Sequence, residues 1–205
     1  MASDIGLNKL IIFGCGGHSR SVVDTLLSVC PTVELVFVDN KAEKNERRYG
    51  FAVLSKVPEG DFSYFIAIGD NEQRKDKFME IGEKDLISII SNRAYVSDRS
   101  NIGSGSFIGN FSHVGPEVTI GTNTIINTAA IIEHEVQVGK HCHIGPTATV
   151  SGRCKIGDLV FVGVGATIKD YVSICSGVII GAGAIVVKDI TEIGVYVGCP
   201  AKKIR

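Results

Sequence analysis

Between Ile90 and Val186 every sixth residue is an isoleucine or a valine, from Ile90, Val96, Ile102 and Ile108 through to Ile174, Ile180 and Val186 without a miss. A period of six matches neither the 3.6-residue turn of an α-helix nor the two-residue alternation of a simple strand. It is the spacing of a hexapeptide β-helix. If three six-residue units close one triangular coil, each aliphatic side chain points inward and stacks on its counterpart one coil later, at the ~4.8 Å spacing of paired strands. Two positions earlier stand small or slender residues, among them Ser100, Ser106, Ser112, Thr124, Ala130, Cys142, Ala148, Cys154, Ala166 and Ala184. They fit a second inward position with little room. Glycine commonly follows the aliphatic residue, as at Gly103, Gly121, Gly139 and Gly163, where a tight corner is expected to need permissive φ. Residues 90–187 should therefore form five coils or slightly more, with no external loop. Repeat units of this kind bury their flat faces against neighbours, so association through the faces of the prism is expected.

Residues 9–85 follow a different rhythm. Lys9-Leu-Ile-Ile-Phe-Gly reads as a strand, Gly14-Cys-Gly-Gly-His18 as a glycine turn opening a helix through Val22-Val-Asp-Thr-Leu-Leu, and Val33-Glu-Leu-Val-Phe-Val-Asp39 as a second strand. A third strand at Tyr64-Phe-Ile-Ala-Ile-Gly leads into a helix from Asp70-Asn-Glu-Gln-Arg. Strands alternating with helices predict a small parallel sheet. The architecture expected is thus an α/β, Rossmann-like half domain over residues 1–88, followed by a parallel β-helix with a closing segment over 89–205.

The glycine turn changes the functional picture. Amides at a helix N-terminus suit an anion, yet Ser19 stands where the third glycine of a dinucleotide fingerprint belongs and no second mononucleotide half follows. One nucleotide is favoured over NAD. His18 and Arg20 are placed to add charge toward a diphosphate, and Asp39 ends the second strand where acids accept ribose hydroxyls. Packing of helix on strand alone is the plainer alternative for the turn.

Composition narrows the classes further. With 21 basic and 22 acidic residues the net charge is −1, which gives no grip on nucleic acid or an anionic membrane. The start shows no secretory pattern and the longest apolar run is too short for a bilayer, so a cytoplasmic location is expected. Six cysteines form no C-x-x-C pair and read as reduced core thiols.

Against this background Glu133-His134-Glu135 interrupts a run of Ala, Ile and Val. The triplet is either solvated surface or a proton-handling group.

These segments together resemble the bacterial sugar acyltransferases of the left-handed β-helix superfamily. The likeness is greatest to enzymes that N-acetylate UDP-4-amino-4,6-dideoxy sugars on the way to diacetylated bacillosamine, with sialic acid O-acetyltransferases as cousins. It is carried by Gly14-Cys-Gly-Gly-His, Phe37-Val-Asp-Asn, Phe65-Ile-Ala-Ile-Gly-Asp-Asn-Glu-Gln-Arg, Asn127-Thr-Ala-Ala-Ile-Ile-Glu-His-Glu, the hexads, and Gly198-Cys-Pro-Ala-Lys-Lys-Ile-Arg. The resemblance implies a left-handed coil and a homotrimer with active sites between subunits. It implies His134 as general base, Glu135 as the acid that orients it, and Asn127 near the reacting centre. Acetyl-CoA is the implied co-substrate, met by His143, Val164 and Ala182, with no metal required; Lys202 and Lys203 are either contacts to its phosphates or simply solvated. A nucleotide-linked amino sugar would be held by Gly16, Gly17, His18, Asp39, Asn40, Gly69, Asn71 and Arg74. An imidazole suits the task, because an amine must lose a proton to attack a thioester.

Three alternatives stay open on sequence alone. They are O-acetylation of a sialic-acid-type sugar, zinc-dependent hydration using His134, His141 and His143, and a non-catalytic nucleotide-binding scaffold.

Overall fold

A computed structural model describes residues 9–205. The first unit contains β1 (Leu10–Phe13), α1 (Gly17–Val29), β2 (Leu35–Val38), β3 (Arg47–Arg48), β4 (Phe51–Leu54), β5 (Ser63–Ile66) and α2 (Asn71–Ile81). The sheet order is β3-β4-β2-β1-β5, parallel except for the β3–β4 hairpin. That hairpin is an addition to the three parallel strands expected. Its turn places Tyr49 and Gly50 at φ of 50° and 81°, the two positive values a tight hairpin needs. A tyrosine in the position usually taken by Asn or Asp hides the signal.

The hexads build a parallel β-helix of two-residue strands with three faces. The first face carries Ile89–Ile90, Phe107–Ile108, Ile125–Ile126, His143–Ile144, Phe161–Val162 and Ile179–Ile180, extended by Val195–Val197 and Lys202–Lys203 to eight strands. The second holds the six strands from Tyr95–Val96 to Ile185–Val186, and the third the five from Asn101–Ile102 to Ser173–Ile174. The inward column is as predicted from Ile108 to Val186, buried throughout. Ile90, by contrast, is 39% exposed, because the first coil has none before it. The second inward position also accepts valine: Val118, Val136, Val160, Val172 and Val178 are all buried there.

Glycine after the aliphatic residue has a different cause from the one expected. These glycines do not have positive φ. A Cβ at Gly103 would lie 2.5 Å from the Thr122 amide nitrogen, and one at Gly163 would lie 2.6 Å from that of Ala182. The backbone of the next coil leaves no room for it. Positive φ falls two residues further on, at Phe111, Glu117, Asn123, Glu135, His141 and Arg153 among others.

Outward residues distinguish the faces. The third presents Asn101, Thr119, Gln137 and Lys155 to solvent, with Ser173 half-buried. On the first, Ile89, Phe107 and Ile125 are buried in one apolar cluster with Val22, Val23 and Leu26, so the α/β unit packs there. Arg74 of α2 fastens the two units. It is fully buried and donates from Nε to Asn123 O, from Nη1 to Ile68 O, Gly69 O and Asp70 O, and from Nη2 to Asn71 Oδ1, His141 O and Cys142 O. Asn71 adds donation from Nδ2 to Leu159 O and Val160 O. Among the described residues no helix is long and apolar enough to cross a membrane.

The spacing argument is testable by two substitutions. In Gly121→Ala the Cβ would meet Gly139 backbone at 2.5 Å, whereas at Gly183, with φ +65°, it meets open space. Urea unfolding should show a loss of about 3 kcal/mol for the first and about 1 kcal/mol for the second. Equal losses would contradict the steric account.

Candidate active site

A cavity of about 750 Å³ opens at the carboxyl ends of β1, β2 and β5, and Gly16, Gly17, His18, Asp39, Asn40 and Gly69 all line it. Gly16 caps α1 without a side-chain hydrogen bond, which leaves first-turn amides to a ligand. A Cβ at Gly16 or Gly17 would meet nothing within 4 Å, so these glycines keep open space rather than relieve an internal clash. Ser19 turns inward and donates Oγ–H to Gly16 O at 2.7 Å, tying the turn where a dinucleotide motif has glycine. Asp39 braces the same turn, accepting from the Cys15 amide at Oδ2 (2.9 Å) and from Lys41 N at Oδ1 (3.0 Å).

Several expectations for this pocket need correction. Arg74 and Asn71 do not reach it, since their polar atoms are spent fastening the two units. Arg20 lines a smaller cavity with Arg47 and Arg48. Burial lowers His18 to about 3, so it carries no charge at neutral pH. The pocket's cationic side chains are instead Lys41, Lys56 and Lys77, the last paired with Glu80; sequence reasoning passed them over because isolated surface lysines carry no pattern.

His18 leads out of the pocket. Its Nε2 is buried with no hydrogen-bond partner, and its ring lies edge-on to Phe107 at 5.2 Å and 6.0 Å from the His143 ring. His143 donates Nδ1–H to Gly69 O at 3.1 Å, and its Nε2 accepts from Asn127 Nδ2 at 3.0 Å. Both contacts define one neutral tautomer. Burial lowers this imidazole to about 4. Asn127 follows the first face at a prism edge, and exposed Val164 and Ala182 stand on later coils of that edge.

His134 and Glu135 stand elsewhere, on the edge after the second face. Here Nδ1 of His134 lies 2.9 Å from Oε2 of Glu135, and Arg153 Nη2 lies 3.0 Å from the same oxygen. The hydrogen bond from His134, with Arg153 adding to it, holds the Glu135 carboxyl below its ordinary value. Beneath the imidazole is Gly152, where a Cβ would fall 2.7 Å from His134 Nε2. Gly152 and Arg153 were not foreseen, because their contact with the triplet depends on coil-to-coil register.

Of the remaining histidines, His113 lies on the second face, stacked on Tyr95 at 5.0 Å. His141 is buried between Phe78, edge-on at 5.1 Å, and Asn123, whose Nδ2 lies 2.9 Å from its Nδ1. Among the described residues no three His, Cys, Asp or Glu groups converge as metal ligands would. Burial pushes the Cys142 thiol up to about 12, in keeping with a core role. Lys203 pairs with Glu192 at 3.0 Å.

Comparison with known proteins matches both parts of the chain. Residues 9–81 fit the family described as PglD N-terminal domain, and residues 99–134 and 135–170 fit bacterial transferase hexapeptide repeats. The acetyltransferase domain of PglB from Neisseria gonorrhoeae, solved with acetyl coenzyme A, is 31% identical, with 97% of this chain and 100% of that chain covered and a TM-score of 0.88. An asparagine-for-histidine mutant of perosamine N-acetyltransferase from Caulobacter crescentus, solved with CoA and GDP-perosamine, is 29% identical over 96% of this chain and 97% of that one, with a TM-score of 0.86. WeeI from Acinetobacter baumannii AYE is 25% identical over 95% and 99%, with a TM-score of 0.87. The uncharacterized protein L142 of Acanthamoeba polyphaga mimivirus is 33% identical over 95 residues, which are 45% of this chain and 19% of that protein. The chain thus spans about a fifth of that relative's length.

Two outcomes test this geometry. Gly152→Ala should leave unfolding stability nearly unchanged while driving the half-exposed His134 ring off Glu135, and a crystal structure of the variant with that contact intact would contradict it. The second concerns His18 and His143, which ionise near 6.5 when unfolded but only at about 3 and about 4 in the fold. Their contribution to stability is complete above pH 6.5 and is lost as pH falls toward those values, about 2 kcal/mol each by pH 5. Equal unfolding free energies at pH 7 and pH 5 would show that neither ring is held neutral.

Proposed function

The chain belongs to the left-handed β-helix, hexapeptide-repeat family of nucleotide-sugar acetyltransferases, and on that premise we propose that it transfers the acetyl group of acetyl-CoA to the 4-amino group of a nucleotide-linked amino sugar. The family likeness favours a UDP-4-amino-4,6-dideoxy sugar as acceptor. The observation that carries the mechanism is the 2.9 Å contact between His134 Nδ1 and Glu135 Oε2. It holds the imidazole with Nδ1–H toward the carboxylate, so Nε2 is the basic nitrogen.

The residues then act in order. The amides of the α1 turn and Lys41 and Lys56 hold the diphosphate, and Asp39 and Asn40 face the nucleoside. His134 Nε2 takes a proton from the sugar amine as its nitrogen attacks the thioester carbonyl. The tetrahedral intermediate collapses with cleavage of the C–S bond, and the imidazolium returns the proton to the departing CoA thiolate. Glu135 stabilises the imidazolium in between.

One protomer leaves these parts separated. The pocket, His143, Asn127, Val164 and Ala182 belong to the edge before the second face, and His134 and Glu135 to the edge after it. The face between them exposes Tyr95, Ile131 and Ile185. A cyclic trimer that packs this face inward sets one edge of each subunit beside the other edge of the next. We read the active site as shared in this way, in the cytoplasm, between two subunits of a homotrimer.

Thiol release from acetyl-CoA, measured across UDP-, dTDP- and GDP-linked 4-amino sugars and sialic acid, tests the reading. A 4-amino nucleotide sugar should be the preferred acceptor, with kcat about 10²- to 10⁴-fold lower in His134→Ala and a smaller fall in Glu135→Ala. Turnover of sialic acid alone, or an unchanged rate in His134→Ala, would defeat it.

A further inference from the structure

Glu135 Oε2 is shared between two partners. His134 Nδ1 lies 2.9 Å and Arg153 Nη2 3.0 Å from that single oxygen. The arrangement is built by register. Arg153 N donates to His134 O across one coil at 3.0 Å, and Tyr171 N donates to Gly152 O across the next. Residues 135, 153 and 171 therefore occupy equivalent corners, each with φ near +61°. The Arg153 guanidinium carbon sits 5.2 Å from the Tyr171 ring centroid, which restrains a side chain that is 43% exposed. Its planar fork is supported from behind and directed at the carboxylate.

We propose that Arg153 is a positioning residue for acetyl transfer: braced on Tyr171, it fixes the rotamer of Glu135 and withdraws charge from the oxygen that orients His134. The proposal rests on His134 as the base. Two demands on Glu135 oppose each other. It must hold Nδ1–H firmly, yet a carboxylate too basic would hold the imidazolium and slow return of the proton to the thiolate. A cation on the same oxygen moderates it. The other ionisable residues at this corner are Glu133 on the same coil as His134, Glu117 on the preceding coil, and Lys169, Asp170 and Tyr171 on the coil beyond Arg153.

The test compares wild type, Arg153→Gln and Arg153→Lys as intact protein. Carbon-13 NMR of the Glu135 carboxyl is expected to show titration at higher pH in Arg153→Gln than in wild type, with Arg153→Lys restoring part of the difference. In thiol-release assays Arg153→Gln should lower kcat about tenfold, move the acid limb of the kcat/KM profile to higher pH, and change KM for either substrate by less than about twofold. An unmoved carboxyl titration overturns the proposal. So does a selective rise in KM for acetyl-CoA with kcat and the acid limb unchanged, which would make Arg153 a phosphate contact. If His134→Ala stays active while the carboxyl titration still moves, the ion triad stands and the general-base reading is the part that fails.

Discussion

The backbone ladder between successive coils governs this molecule. Val114 pairs with Ile132, Ile132 with Val150, Val150 with Ile168 and Ile168 with Val186, so each residue lies directly over the one three hexads before it. Side chains become columns rather than neighbours in sequence. An inward column of Ile and Val excludes water, and at many corners, such as Gly103, Gly121 and Gly163, the next coil's backbone comes so close that only glycine fits. A single insertion would rotate every later column onto the wrong face.

The same ladder places the chemistry. Because a hexad is one third of a coil, Asn127 and His134 fall on edges that flank one face, although only seven positions separate them. His134 meets Gly152 and Arg153 through register alone. The α/β unit is locked to the first face by Ile89, Phe107 and Ile125 and by the buried Arg74, so its pocket opens near the edge that carries His143 and Asn127. A rigid prism thereby holds His143 and His134 at fixed separation, and on the proposed reading a second copy, rather than a loop movement, brings the two half-sites together.

Much of this was legible in the chain. The six-residue period identified the coil, its core and its length, because the signal repeats with little noise. The glycine turn and Asp39 marked the residues that line the cavity at the carboxyl ends of β1, β2 and β5. Other features were present but needed the longer repeat to read: sorting outward positions by coil shows a polar third face, an apolar first face where the α/β unit packs, and a mixed second face. Arg74 was misassigned because a buried cation bound to backbone carbonyls has no sequence signature, and a motif arginine near a pocket invites a ligand role. The corner glycines were read for φ when their constraint is contact between coils that are distant in sequence. Arg153 escaped notice for the same reason.

Subunit complementation tests the shared site most directly. Gly17→Asp places a carboxylate in the glycine turn, where a Cβ meets no protein atom within 4 Å, and His134→Ala removes the proposed base. Each protein alone should be nearly inactive. Unfolded together in equal amounts and refolded as mixed trimers, they should recover about a quarter of wild-type activity, the fraction of interfaces at which an intact turn meets an intact histidine from the neighbouring subunit. Mixed trimers as inactive as their parents would place both half-sites in one chain and contradict the arrangement.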